Sequence, residues 1–71
     1  MKVHSSRTFG EAIRQRRKEL GYTQKELSDF SGISVSFLSD LENGKPTAEL
    51  EKCLHIAGLL GLDVLMNVRG K

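Results

Sequence analysis

The sequence is poor in most of what staples or anchors a small protein. It has one cysteine, one proline, two histidines and no tryptophan in 71 residues. The lone Cys53 excludes an intrachain disulfide. Cys53, His4 and His55 lack the paired spacing of a zinc site, so no metal or other cofactor is expected. Proline occurs only at Pro46 and there is no low-complexity run, so neither a linker nor a second folded domain is expected. Long apolar runs are missing. The richest, Ile56 to Leu62, is seven residues with two glycines, against about 20 for a membrane span. The segment from Met1 to Arg7 lacks the apolar stretch of an export signal. With the single cysteine, this gives a cytoplasmic expectation and no membrane partner. An excess of one charge is missing too: eleven Lys and Arg face nine Asp and Glu, a net charge of +2. Any nucleic-acid binding must therefore come from where the charges sit. No nucleophile elbow, phosphate loop or metal cluster is present, so catalysis is not expected and no catalytic residue is assigned. A domain of this size buries only about 60% of its unfolded surface. With disulfide and metal excluded, a partner subunit is the expected staple.

What the sequence does contain is regular punctuation, which divides it into four helices and a tail. A first helix is predicted from Phe9 to Leu20, with Thr8 as N-cap, Glu11 completing a capping box and Gly21 as the stop. Phe9, Ile13 and Leu20 form its apolar arc. A second spans Gln24 to Ser31, boxed by Thr23 and Glu26, with Leu27 and Phe30 facing inward and Gly32 ending it. A third runs from Val35 to Asn43, capped by Ser34 and stopped by Gly44, with Phe37, Leu38 and Leu41 as its apolar face. The fourth is placed from Ala48 to Leu60 behind Pro46, with Thr47 as its cap and Leu50, Leu54, Ala57 and Cys53 as its stripe. The tail then changes period. Leu62, Val64, Met66 and Val68 alternate with Asp63, Leu65, Asn67 and Arg69, which is a strand signal. Met1 to His4 is too short to be a good partner for it. The economical solution is the same strand from a second subunit. The expected division is 8–61 as the folded domain and 62–71 as a dimerisation strand.

The second and third helices, joined by a tight turn at Gly32, form a helix-turn-helix. Ser28 is small enough to let the helices cross closely. Gly32 accommodates a positive φ, and Ile33 plugs the space between them. Thr23-Gln24, Leu27, Gly32-Ile33-Ser34, Leu38 and Leu41-Glu42-Asn43-Gly44, preceded by Leu20-Gly21-Tyr22, closely resemble the phage repressor and Cro-like (XRE-type) helix-turn-helix family. The resemblance covers about residues 9 to 60. The fold class it implies is mainly α, a four-helix lambda-repressor-like domain, here followed by a C-terminal β-strand paired across a dimer.

The resemblance also implies residue roles. The third helix enters the major groove, presenting Ser34, Val35, Ser36, Ser39 and Asp40 to base edges. That face lacks the Arg, Gln and Asn of bidentate readout, so DNA shape and dimer spacing are expected to carry much of the specificity. Thr23, Gln24 and Lys25 at the start of the second helix, and Asn43, Gly44 and Lys45 after the third, fall where the family contacts phosphates. Arg17 and Glu42 match its internal ion pair; on a helical wheel Arg17 lies about 40° from Ile13, at the border of the core. Arg14 and Lys18 point away from the core as a solvated face.

Three functions follow from these readings. The favoured one is a sequence-specific transcriptional repressor acting as a homodimer on a palindromic duplex operator, of the antitoxin type that regulates its own operon. Four helices followed by a terminal strand resemble small HipB-type antitoxins, and that resemblance implies a kinase-like toxin as a further partner. The alternatives are a stand-alone phage-type regulator and a protein-binding adaptor that has lost DNA binding.

Overall fold

The computed structural model describes residues 2–70. Met1 and Lys71, ends of the N-terminal segment and of the expected strand, lie outside the described residues. Four helices follow in order: α1 (Ser6–Glu19), α2 (Gln24–Ser31), α3 (Val35–Glu42) and α4 (Leu50–Leu59).

α1 begins one turn earlier than Thr8. Ser5 is the N-cap: its Oγ accepts the Thr8 N–H at 3.1 Å, and the Thr8 hydroxyl accepts the Ser5 N–H at 3.0 Å. Thr8 therefore fills the position usually held by Glu or Gln in a capping box. Glu11, the expected partner of Thr8, instead accepts from Arg7 Nη1 at 2.6 Å. α2 carries the Thr23–Glu26 box, and Gly32 closes it in the left-handed conformation, φ 73°. Ser34 caps α3 by accepting from the Phe37 N–H at 3.1 Å.

α1, α3 and α4 each end in a Schellman motif. After α3, the Gly44 N–H donates to the Leu41 carbonyl and the Lys45 N–H to the Asp40 carbonyl, both at 3.0 Å. These bonds satisfy carbonyls that the helix itself leaves open. Gly44 is required there twice over. Its φ is +81°, and a Cβ would lie 2.8 Å from the Arg7 Cα.

The core draws on all four helices and the α2–α3 turn: Ile13, Leu27, Ile33, Leu38, Leu41, Cys53, Ile56, Ala57 and Leu60 are buried. Each fully buried aliphatic side chain contributes about 1.5–3 kcal/mol relative to exposure. These contacts hold α2 and α3, which at two turns each are too short to persist alone. α1 crosses α3 at Gly10, where a Cβ would run into the Leu41 carbonyl oxygen and sit 3.0 Å from that of Glu42.

Three expectations are corrected here. First, α4 starts at Leu50, with Glu49 at the N-cap and no side-chain capping bond. Thr47 instead belongs to the turn that Pro46 opens. The helix presents Cys53, Ile56, Ala57 and Leu60 to the core, while Leu50 and Leu54 are exposed. Second, Phe30 faces outward, 57% exposed, with its ring edge-to-face on Tyr22 at 4.9 Å. The short α2 has room on its inner face for Leu27 alone. Third, residues 62–70 form no strand. A strand needs a ladder partner for its N–H and C=O groups, and the described residues of this chain supply none. Leu62 packs partly against the core, whereas Val64, Met66 and Val68 are exposed, Met66 at 96%.

Candidate nucleic-acid interface

Around the Gly32 turn, α2 and α3 lie against one another, with Leu27, Ile33 and Leu38 filling the space between them. With Leu38, Leu41 and Glu42 buried, the opposite stripe of α3 faces out. Ser34, Val35 and Ser36 are exposed; Ser39 and Asp40 are half-buried. The five residues expected to read bases therefore form one surface. The Ser34 oxygen is engaged by its capping bond, yet its O–H remains able to donate. Asp40 pairs with Lys45, Nζ to Oδ2 at 3.3 Å, both half-exposed.

The residues expected to meet phosphates flank this surface at two helix ends. At the start of α2 the Thr23 N–H donates to Glu26 Oε1 at 2.9 Å, and the Thr23 hydroxyl accepts the Glu26 N–H at 3.0 Å. The capping box thus consumes those two donors. The N–H groups of Gln24 and Lys25, in the first turn, have no intrahelical acceptor and stay available to an anion. Lys25 reaches Asp29 only loosely, at 3.8 Å on an exposed face. At the other end Asn43 is exposed, while Gly44 and Lys45 are held by the Schellman bonds that close α3.

Behind the surface lies a buried polar hub. Arg17 Nε donates to Glu42 Oε2 at 2.8 Å and Nη2 to Glu42 Oε1 at 2.9 Å, a two-pronged pair. Arg17 Nη1 donates to the Tyr22 carbonyl at 2.7 Å. Gln24 Nε2 adds a bond to Glu42 Oε1 at 3.2 Å. The Glu42 hydrogen bond raises the Arg17 pKa above the usual arginine range, although burial pulls the other way. One carboxylate at the end of α3 thereby ties together α1, the α1–α2 turn and the first residue of α2. Among the described residues, no buried side-chain polar atom lacks a partner.

The Gln24 amide is thus already bonded within the protein, a link that spacing alone does not reveal. Its second N–H remains free to donate to a phosphate. The fixed bond to Glu42 sets where that N–H points.

Arg16 is a structural residue that the basic run of the first helix conceals. Its Nε donates to the Leu60 carbonyl at 2.9 Å, strapping α1 to the C-terminal end of α4. The sequence does carry a signal for it: seven residues after Phe9 puts Arg16 about 20° from it on the wheel. Arg16→Ala is expected to lower stability by about 1 kcal/mol, since the side chain is partly solvated. Amide exchange at Leu60 and Leu62, at the end of α4, should accelerate selectively. The exposed Arg14→Ala should change stability by less than about 0.5 kcal/mol. Equal effects from the two variants would remove the strap from the account.

No group of three or more His, Cys, Asp or Glu among the described residues could hold a metal ion. Cys53 is a free, buried cysteine, and burial raises the pKa of its thiol. Among the described residues, no helix is long and apolar enough to cross a membrane.

Comparison with known proteins places this geometry. The helix-turn-helix family model matches residues 13–65. An uncharacterised HTH-type transcriptional regulator, y4mF of Sinorhizobium fredii, is 35% identical over 63 residues, covering 89% of this chain and 83% of that protein. The immunity repressor protein of Bacillus phage phi105 is 35% identical over 57 residues, 80% of this chain but 40% of the repressor. The chain therefore spans most of the first relative and less than half of the second. Among solved structures, it superposes on a chain of a HipB–O4 20-mer complex and on a chain of a HipA–HipB–O2–O3 complex. Each match has a TM-score of 0.86 at 26% identity and covers 97% of both chains.

Proposed function

The chain belongs to the helix-turn-helix family of the phage-repressor type, and from that premise we propose that it is a sequence-specific DNA-binding transcriptional repressor that works as a homodimer and regulates its own operon as an antitoxin. The observation that carries this reading is the extent of the likeness to HipB. It covers 97% of both chains, so it takes in the segment beyond α4 as well as the helix-turn-helix. The relatives that are repressors support the DNA-binding half of the reading. The HipA–HipB–O2–O3 complex supports the partner half.

In this reading α3 enters the major groove, with Ser34, Val35, Ser36, Ser39 and Asp40 at base edges. Thr23, Gln24 and Lys25 grip the backbone on one side, and Asn43, Gly44 and Lys45 on the other. The hub of Arg17 and Glu42 holds the two grips at a fixed separation. The segment 62–71 is the dimerisation element: Leu62, Val64, Met66 and Val68 pair as a strand with the same residues of a second copy. Pairing supplies the ladder that one chain lacks and gives two recognition helices the two-fold relation that a palindromic operator matches. The exposed apolar side chains of the tail make it a poor solvent face and a suitable buried one. A kinase-like toxin is the further protein partner.

The test is fluorescence anisotropy of a labelled duplex from immediately upstream of the gene, against a scrambled duplex, at two salt concentrations. Light scattering on the same samples gives the oligomeric state. The expected result is a dimer that prefers the upstream duplex and binds it more weakly as salt rises, because bound phosphates release counterions. Val64→Asp with Met66→Asp, both at exposed sites, should give a folded monomer with weakened operator binding. No binding to either duplex would sink the repressor reading in favour of the adaptor, and a double variant that stays dimeric would move the interface off the tail.

A further inference from the structure

Asp40 is the acid on the outward stripe of α3, and a carboxylate there faces a polyanion if this helix meets DNA. Such a charge opposes binding unless something neutralises it. The loop after α3 places Lys45 against it, Nζ to Oδ2 at 3.3 Å. The position of Lys45 is not free. Its backbone N–H donates to the Asp40 carbonyl at 3.0 Å. The preceding Gly44 has φ +81°, and a Cβ there would lie 2.8 Å from the Arg7 Cα, so a side chain at that position would disturb the turn. As a half-exposed pair, Asp40 and Lys45 add little to folding, so stability does not account for their placement.

We infer that Asp40 is a specificity-determining residue that reads an exocyclic amino group in the major groove, and that the base it selects is cytosine. The inference rests on the DNA-binding reading of α3 and deepens it. An ionised carboxylate only accepts hydrogen bonds. Guanine presents O6 and N7, both acceptors, and thymine presents O4 and a methyl group, so both repel or waste the carboxylate. Adenine offers its N6 amino group but sets the N7 acceptor beside it. Cytosine N4 offers a donor with no acceptor next to it on the same base. Oδ2 faces Lys45, which leaves Oδ1 for that donor. Lys45 is a positioning residue here. With three N–H donors it keeps Asp40 neutralised and still reaches a phosphate oxygen, so the two assignments do not compete.

The test is selection of bound duplexes from a randomised library by the full chain, by Asp40→Asn and by Asp40→Ala, followed by sequencing. Thermal melts confirm that each variant folds. The half-exposed site makes that the expected outcome. The wild type should enrich a cytosine at one position of each half-site. Asparagine carries a donor beside its acceptor and matches the N6–N7 edge of adenine. Asp40→Asn should therefore shift that one position from cytosine to adenine, changing their relative affinity by about 5- to 150-fold, with the other positions unaltered. Asp40→Ala should lose the preference there and bind arbitrary duplex more tightly. A wild-type motif that both variants reproduce unchanged would overturn the role of Asp40 while leaving DNA binding intact. A sensitive position occupied by a base other than cytosine would overturn the choice of base. If the wild type enriches no motif, the inference falls together with the DNA-binding reading.

Discussion

Arg17→Ala is expected to lower the free energy of unfolding by about 3–5 kcal/mol, because it leaves the buried Glu42 carboxylate without its partner. A domain of this length holds only about 4–11 kcal/mol in all, so the variant should lose a large fraction of its stability and unfold at a much lower urea concentration than the wild type. The Arg17 and Glu42 side chains are only 10% and 2% exposed, so water does not substitute for the lost guanidinium. The Tyr22 carbonyl also loses its donor, and Gln24 is left to hold Glu42 alone. The loss should not depend on working pH through the arginine. Its pKa is raised in the fold, so the stability it contributes is fully present below the unfolded value. That contribution is lost only as pH rises through the folded value, beyond the normal range. A urea titration measures the effect. Replacing both partners, Arg17→Met with Glu42→Leu, should recover much of the stability, since no unpaired charge then stays buried. If Arg17→Ala unfolds at the wild-type urea midpoint, the hub is not what holds α1, α2 and α3 together.

The parts of this fold legible in the sequence are those written in local chemistry. The Thr23–Glu26 box, the Ser34 cap and the glycines at positions 21, 32 and 44 mark helix ends because backbone donors and positive φ leave few residue choices. Arg17 can be placed because a cation at the edge of an apolar arc demands a carboxylate. The errors fall where the pattern is degenerate. α4 is apolar on most sides, so the expected stripe of Leu50, Leu54, Ala57 and Cys53 and the observed one of Cys53, Ile56, Ala57 and Leu60 both satisfy helical spacing; packing against the other helices keeps Cys53 and Ala57 and replaces Leu50 and Leu54. Thr8 in place of Glu or Gln disguises the capping box of Ser5, which puts the expected start of α1 a turn late. Phe30 has core spacing, but it sits at the end of a helix whose inner face is already filled by Leu27. The alternating tail encodes strand propensity, and propensity alone makes no ladder in one chain. On the candidate interface the residue types are readable, while the bonds from Gln24 to Glu42 and from Lys45 to Asp40 depend on how the helices cross.

Gly10 carries no signal at all in the sequence, and it gives the other large effect. By helix propensity alone, glycine to alanine within α1 should stabilise by about 1 kcal/mol. At Gly10 the sign reverses. The added Cβ meets the backbone carbonyl of Leu41, with that of Glu42 3.0 Å away, and neither can rotate out of the way as a side chain would. α3 has to shift away from α1. That strains the Arg17–Glu42 bonds, because Glu42 sits on the same turn that moves. Overpacking costs about 1–3 kcal/mol or more. With the hub disturbed as well, a net loss of about 2–3 kcal/mol is expected for Gly10→Ala. Gly58 supplies the control. It lies within α4, and a Cβ added there would meet nothing within 4 Å, so Gly58→Ala should instead raise stability by about 0.5–1 kcal/mol. Thermal melts of the two variants should therefore move in opposite directions from the wild type. Gly10→Ala should also weaken binding to any duplex the wild type recognises, even at temperatures where it remains folded, since the crossing at Gly10 sets the seat of α3. A Gly10→Ala variant that melts above the wild type would mean that α1 and α3 do not approach as closely as this crossing requires.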